Sequence, residues 1–355
     1  MTVSHKISRG IAAASCGIAM FLAGCSSHDE RFADTAPPRA ATLADLRTSS
    51  SKLLTFGQEN TLVLSPNALV GFTNAAVEQY RATSSPSSRR LVETFADALL
   101  DAQLKPGGTA GFSAGADPDR LSTLTSLRAG IALAGAYSVT DNERYAETVR
   151  GLADLAKTSK FGWRTDGDKG LIVLASRGGF GSIAQTALAA CLFARAADVA
   201  GADTETQLTQ AVAGVDDAQA AVGRWYADTS PDQRAMTLDQ WATTLTALDC
   251  TGTKEGEGIL GAGVPAMVAG TFRKSGDPLD LERDRIGLPL AIGTTALYPD
   301  VRQSGPIVRT ALDHRRPDGT IDYAPADDLE LQSAYAEAVA QALFAESVRK
   351  GVAKP

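Results

Sequence analysis

Apolar residues recur three and four positions apart along most of this chain, the spacing of one face of an α-helix. Ser65-Pro66 reads as an N-cap with proline in the first turn, and Leu69, Phe72, Val77 and Tyr80 follow at helical spacing. Ser85-Pro86 precedes a similar set, Leu91, Val92, Phe95, Ala98, Leu99 and Ala102. Asp117-Pro118 precedes Leu121, Leu124, Leu127 and Ile131. Thr140 with Glu143 fits a capping box ahead of Tyr145, Val149, Leu152 and Ala156. Further helices are expected from Gly181 through Ala194, from Leu208 through Tyr226, and from Ser230-Pro231 through Leu248. Others are expected near 258–273, 284–298, 302–314 and 328–348, with a weaker first helix over 42–56. Strand signals are confined to Leu171–Ala175 and to Thr320–Tyr323 after the Asp318-Gly319 turn. The pattern predicts an all-α fold of about twelve helices.

The connections add a second pattern. Those near 83–87, 139–141, 200–203 and 299–301 are short, and those near 105–117, 159–180, 274–283 and 313–327 are long. If consecutive helices alternate up and down, the long loops share one face and the short turns the other, with 251–257 as an exception. Twelve alternating helices with loops elaborated on one side resemble the (α/α)6 toroid of many glycoside hydrolases and polysaccharide lyases. Phe161-Gly162-Trp163-Arg164, then Gln185-Thr186-Ala187-Leu188-Ala189-Ala190, is similar to the Gly-Trp loop and Thr-Ala-Leu helix of such barrels. The resemblance covers about residues 42–350 as a single helical domain. An irregular helical bundle or a solenoid is the alternative architecture.

The N-terminus carries a different signal. Lys6 and Arg9 precede a short apolar run, Ile11 to Leu22, which is too short for a stable membrane span. It ends in Leu22-Ala23-Gly24-Cys25, which resembles the lipobox of bacterial lipoproteins. The resemblance implies that residues 1–24 are a cleaved signal peptide and that Cys25 is lipidated. The protein is then expected at the cell membrane, lipid-anchored and facing outside the cytoplasm. Two or three acyl chains anchor stably where one is marginal. Residues 25–41, with Pro37-Pro38 and His28, lack apolar periodicity and read as a flexible tether. No later segment supplies about 18 consecutive apolar residues.

Composition narrows the chemistry. A net charge of −7 argues against nucleic acid as a partner. Three His and four Cys leave little for a metal site, and no cofactor motif is present. Gly178-Gly179-Phe180-Gly181 follows no βαβ strand, and no Gly-x-Ser-x-Gly elbow accompanies His314. Once the signal is removed and Cys25 lipidated, Cys191 and Cys250 remain, either as a disulfide or as two buried thiols.

Carboxylates are the best catalytic candidates, because glycoside hydrolysis uses one protonated and one ionised carboxyl. Asp166 lies with Asp168 in one long loop, beside Trp163 and Arg164. Asp284 lies with Asp280 and Glu282 in another. Asp322 lies with Asp313 and Asp318 in the last, beside His314, Arg315, Arg316 and Tyr323. Asp166, Asp284 and Asp322 are taken as catalytic candidates, and Trp163, Arg164, His314, Arg315 and Tyr323 as substrate-binding ones. Trp163 and Tyr323 would stack on sugar faces, and a lyase would use Tyr323 or His314 with Arg315. Each also has a plain structural reading: Asp-Gly turns, helix-start acids, a half-buried tryptophan anchor, and Arg315-Arg316 pairing with Asp327 or Asp328. The expected activity is on an envelope polysaccharide, as glycosidase or lyase. The alternative is a non-catalytic lipoprotein that binds a glycan or an envelope partner.

Overall fold

The computed structural model describes residues 41–104, 111–114, 120–174, 178–217, 226–232, 234–298, 300–301 and 303–354. Cys25, the tether with His28, and Asp117-Pro118 lie outside the described residues. The elements in chain order are α1 (Leu43–Glu59), α2 (Pro66–Thr83), α3 (Pro86–Asp101), α4 (Thr123–Thr140) and α5 (Glu143–Ala156). Strands β1 (Trp163–Asp166), β2 (Lys169–Leu174) and β3 (Phe180–Ser182) come next, then α6 (Ile183–Ala200), α7 (Glu205–Asp216) and α8 (Leu238–Thr251). The chain ends with α9 (Lys254–Thr271), the single turn α10 (Leu281–Asp284), α11 (Leu288–Leu297), α12 (Ser304–Asp313) and α13 (Leu329–Arg349).

Six helices form a closed inner ring. Each of α2, α4, α6, α8, α11 and α13 packs on the next, and α13 returns to α2. The outer helices α1, α3, α5, α7, α9 and α12 pack against the inner ones. This is the (α/α)6 toroid. Inner helices are covered on the outside and by both neighbours, so their sequences are apolar nearly all round. α6 is the extreme case, with Ile183, Ala187, Cys191, Leu192 and Phe193 buried. Its 18 residues are long and apolar enough to cross a membrane, yet 72% of that stretch is buried inside the ring. Close approach is needed where the ring closes. A Cβ at Gly71 on α2 would stand 2.6 Å from Ser333 Oγ on α13.

Local signals place the helix starts. Ser65 and Ser85 cap α2 and α3 by accepting from the amides of Ala68 and Ser88, with Pro66 and Pro86 in the first turn. Thr42 and Asp45 form a capping box that opens α1. Three expectations are corrected. Thr140 is the last residue of α4, its hydroxyl turned back to Ala136 O (2.8 Å), and Asn142 caps α5 instead. The helix expected through Tyr226 stops at Asp216. The helix expected from Pro231 starts at Leu238 behind a Thr237–Gln240 capping box. Among the described residues of this stretch, Tyr226 bridges Ala235 and Asp228 bridges Ser182.

The β-signal at Leu171–Ala175 becomes the middle strand of a small antiparallel sheet, ordered β1-β2-β3. Gly167, at φ 60°, turns the β1–β2 hairpin in a position that a two-residue primed turn reserves for glycine. The signal at Thr320–Tyr323 yields only the bridge Arg315↔Ile321.

The connections segregate as expected. Long ones lead from α3 to α4, α5 to α6, α7 to α8, α9 to α11 and α12 to α13, always from an outer helix into an inner one. Turns from inner to outer helices are short, and 251–257 is no exception. Gly252 in the left-handed region and the N-cap Thr253 form a two-residue turn there. The long connections therefore surround the N-terminal ends of the inner helices. The 217–237 connection was not among those expected to be long, because Val222 and Tyr226 continue a helical spacing.

Cys191 on α6 and Cys250 on α8 form a disulfide, with Cα atoms 5.3 Å apart. It ties two adjacent inner helices across a sequence separation of 59. Closing a loop of that length removes about 4 kcal/mol of unfolded-chain entropy. Cys191→Ala with Cys250→Ala is expected to lower unfolding free energy by about 2–4 kcal/mol in denaturant titrations, with little change in helical content.

Candidate functional site

On the long-loop face, the α12–α13 connection builds the best-defined cluster. His314 caps the end of α12, and its Nδ1 lies 3.0 Å from Asp322 Oδ1. With Asp322 accepting from Nδ1–H, Nε2 is left as a free acceptor. Tyr323 stacks under the imidazole, ring centroids 4.3 Å apart, and stands 6.4 Å from Tyr335 of α13. Arg316 holds the loop by donating to Ile321 O (3.1 Å) and Ala324 O (2.8 Å). Gln332 of α13 donates to Ile321 O (2.9 Å) and accepts from the Ile321 amide (3.0 Å). Asp318 bonds the Thr320 amide and hydroxyl, which holds its carboxyl below the ordinary range. The loop is thus rigidly tied, and Asp322 and His314 remain about half exposed.

A groove of about 510 Å³ opens beside this pair. Asp322 and Tyr323 line one side, and Leu281, Glu282, Arg285 and Ile286 from α10 and its following turn line the other. Ile286 and Leu281 are exposed apolar residues at its lip. The groove therefore carries two carboxylates, one guanidinium and an apolar edge. Beneath it, the hydroxyls of Tyr323, which lines the groove, and of its neighbour Tyr335 are buried and have no hydrogen-bond partner among the described residues. Burial pushes both phenols well above the ordinary range, so neither ionises near neutrality.

Several expected roles change here. Tyr323 is only 8% exposed with its hydroxyl turned inward, so it is no sugar platform; it positions His314. Arg315 turns away and donates to Ser49 Oγ on α1. Neither Arg315 nor Arg316 makes the expected pair with Asp327 or Asp328; Asp328 caps α13 instead. Asp284 is buried, with both carboxylate oxygens held at 2.8 Å by the Arg283 fork. Asp166 lies exposed at the end of β1, next to the hairpin turn, and lines neither cavity described here. Trp163 packs edge-on against Phe193 (5.4 Å), covers Gly170 and abuts the Ala190–Ala211–Val212 cluster, so it anchors the sheet to α6 and α7. Arg164 is exposed on β1. Glu282, named in the sequence only as a neighbour of Asp284, and Arg285 are the charged residues of this loop that line the groove.

A second cavity, of about 310 Å³, lies on the ring axis and is lined from all six inner helices. Its charged lining is Glu78 and Arg81 (α2), Arg128 (α4), Arg195 (α6), Asp249 (α8) and Glu337 (α13). Burial raises the pKa of both Glu78 and Glu337 above the ordinary carboxylate value, opposed by Arg81 and Arg128 respectively. Burial also lowers that of Arg195. These residues were visible in the sequence as lone charges on otherwise apolar helix faces, such as Glu337 within Ala336–Ala340.

No protein-family profile matches this sequence, and no curated protein matches it. Solved structures do match in fold. A glycoside hydrolase family 76 mannosidase from Bacteroides thetaiotaomicron VPI-5482 superposes with a TM-score of 0.64 at 11% identity, over 86% of this chain and 99% of that one. An inactive variant of a family 76 α-1,6-mannanase from Salegentibacter sp. HEL1_6, with two adjacent aspartates replaced and α-1,6-mannotriose bound, gives 0.61 at 14% identity, over 84% and 99%. A polysaccharide lyase gives 0.56 at 13% identity, over 85% and 98%. The class is thus the (α/α)6 toroid shared with carbohydrate-active enzymes.

The buried carboxyl of Glu337 gives a pH test of the axial cavity. Its raised pKa means the folded state favours the protonated form. That contribution is present below the unfolded value, near 4.5, and is lost as pH rises through the folded pKa. Glu337→Gln keeps an acceptor for Asn74 and removes the buried charge. It is expected to raise Tm at pH 7 and leave it nearly unchanged at pH 4, read by calorimetry at both values.

Proposed function

We propose that this chain is a lipid-anchored envelope protein that cleaves a polysaccharide in the groove on its long-loop face. The observation that carries the reading is the placement of Asp322, held by His314, opposite Glu282 and Arg285 in one open groove. Glycoside hydrolysis needs two carboxyls flanking the bond. Asp322, which accepts a hydrogen bond from His314, and Glu282 are the two carboxyls assigned to this role. Leu281 and Ile286 give the apolar edge that a sugar ring's C–H face packs against. The fold of family 76 hydrolases supports glycan chemistry at this end, by architecture alone.

Hydrolysis is favoured over elimination because the Tyr323 hydroxyl is buried and Arg315, the group expected to hold a uronate carboxylate, is turned away to Ser49. In each pair of adjacent aspartates one member has a structural partner. Asp217 of Asp216-Asp217 is bound to Lys169 (2.7 Å), and Asp328 of Asp327-Asp328 caps α13.

Purified mature chain is to be screened against cell-wall and capsular glycans, with new reducing ends and ultraviolet-absorbing unsaturated ends measured together. Reducing ends without unsaturation are expected, and Asp322→Asn or Glu282→Gln should each lower kcat by about 100-fold or more with the fold intact. Unsaturated products would establish the lyase chemistry. Binding without turnover, unaffected by either substitution, would establish a glycan-binding lipoprotein.

The anchor follows from Leu22-Ala23-Gly24-Cys25. Cys25→Ala is expected to accumulate full-length precursor or release the protein from membranes. Unchanged mass and fractionation would refute lipidation at this residue.

A further inference from the structure

The axial cavity lies away from the groove. Its lining residues come mostly from the middle and later turns of the inner helices, and the exposed Asp249 and partly exposed Arg81 mark an opening near the short turns. The Cys191–Cys250 disulfide forms part of its wall.

Its polar groups can be accounted for one by one. Glu78 takes Arg81 at 2.8 Å, Asp249 accepts from the Tyr298 hydroxyl at 2.7 Å, and Glu337 Oε1 accepts from Asn74 at 3.0 Å. Two cations are left over. Arg195 makes no hydrogen bond and no ion pair among the described residues, although burial depresses its pKa. Arg128 has only Glu337 Oε2, at 3.9 Å, beyond hydrogen-bond reach. That Oε2 is buried without a hydrogen bond, and Glu337 is 8% exposed. Arg128 and Arg195 are half-buried in the cavity wall, so their unused donors are open to the cavity. The apolar part of the lining is Ile131, Leu188, Leu290 and Phe344.

We propose that this chamber is a second binding site, one that takes a small monocarboxylic acid with an apolar body. The carboxylate would bridge Arg128 and Arg195, whose planar forks suit it, and the body would lie against Leu188 and Phe344. A doubly charged phosphate fits less well, because Glu78, Glu337 and Asp249 share the chamber. A volume of about 310 Å³ suits a ligand the size of benzoate and is too small for an oligosaccharide. The proposal stands independently of catalysis in the groove.

The test is calorimetric titration of the mature chain with benzoate and with benzamide, its uncharged isostere. Benzoate is expected to bind at least about 10-fold more tightly, and Arg195→Met to abolish that preference with circular dichroism unchanged. Should Arg195→Met fail to fold, Arg128→Met provides the same comparison. Hydrogen-exchange protection on adding benzoate to the wild-type chain is expected in α6, α8 and α13. Equal affinity for the two compounds, a preference that survives the arginine substitution, no detectable binding, or protection confined to α10 and the α12–α13 connection would overturn the proposal.

Discussion

Closure of the inner ring is the constraint on which the rest of this structure depends. α13 must return to α2, so every inner helix is buried on its two flanks and on its outer side. Small residues make that possible: Gly71 admits Ser333, and Gly293 leaves 3.2 Å between an added Cβ and Ala338 Cα. Once the flanks are committed to packing, an inner helix can place polar chemistry only toward the axis or at its ends. The axis received Arg128, Arg195 and Glu337, and the ends received the loops.

The same constraint fixes the rigidity of each end. On the short-turn side there is little chain to move, and the disulfide further couples α6 to α8. On the long-loop side, backbone must be stabilised locally or it would leave unpaired amides. Arg316 and Gln332 do this for the α12–α13 connection, between them bonding Ile321 and Ala324. The result is a loop stiff enough to hold His314 against Asp322, although both side chains face solvent.

This explains what was legible in the sequence. Helix periodicity and the Ser-Pro starts at 65–66 and 85–86 reported the ring, because burial of apolar faces is a local, repeated demand. The loop lengths reported its polarity. Side-chain partners in the loops were less legible, since they depend on which connections become neighbours. Asp284 and Glu282 sit two residues apart, yet one is buried in the Arg283 fork and the other lines the groove. Tyr323 has the composition of a sugar platform, and the turn after Asp318-Gly319 aims its hydroxyl inward. Trp163 is similarly taken up by Phe193 and Gly170. Conversely, Glu337 and Arg195 are single charges within alanine-rich helices, a signal that becomes meaningful only once those helices are known to surround an axis.

The charge distribution has a physical logic of its own. All six inner helices run from the long-loop end to the short-turn end, so their dipoles add in one direction. The long-loop end presents helix N-termini, where negative groups are favoured. Asp328 caps α13 there, and Asp280 caps the adjoining α10. The short-turn end presents C-termini, where cations are favoured, and Arg81 lies in the last turn of α2. Each such contact is worth about 0.3–1 kcal/mol at a surface and more when partly buried. The mouth accordingly carries capping carboxylates, whereas the chamber, set largely among middle turns where the dipole effect has faded, sets Arg81, Arg128 and Arg195 against Glu78, Asp249 and Glu337.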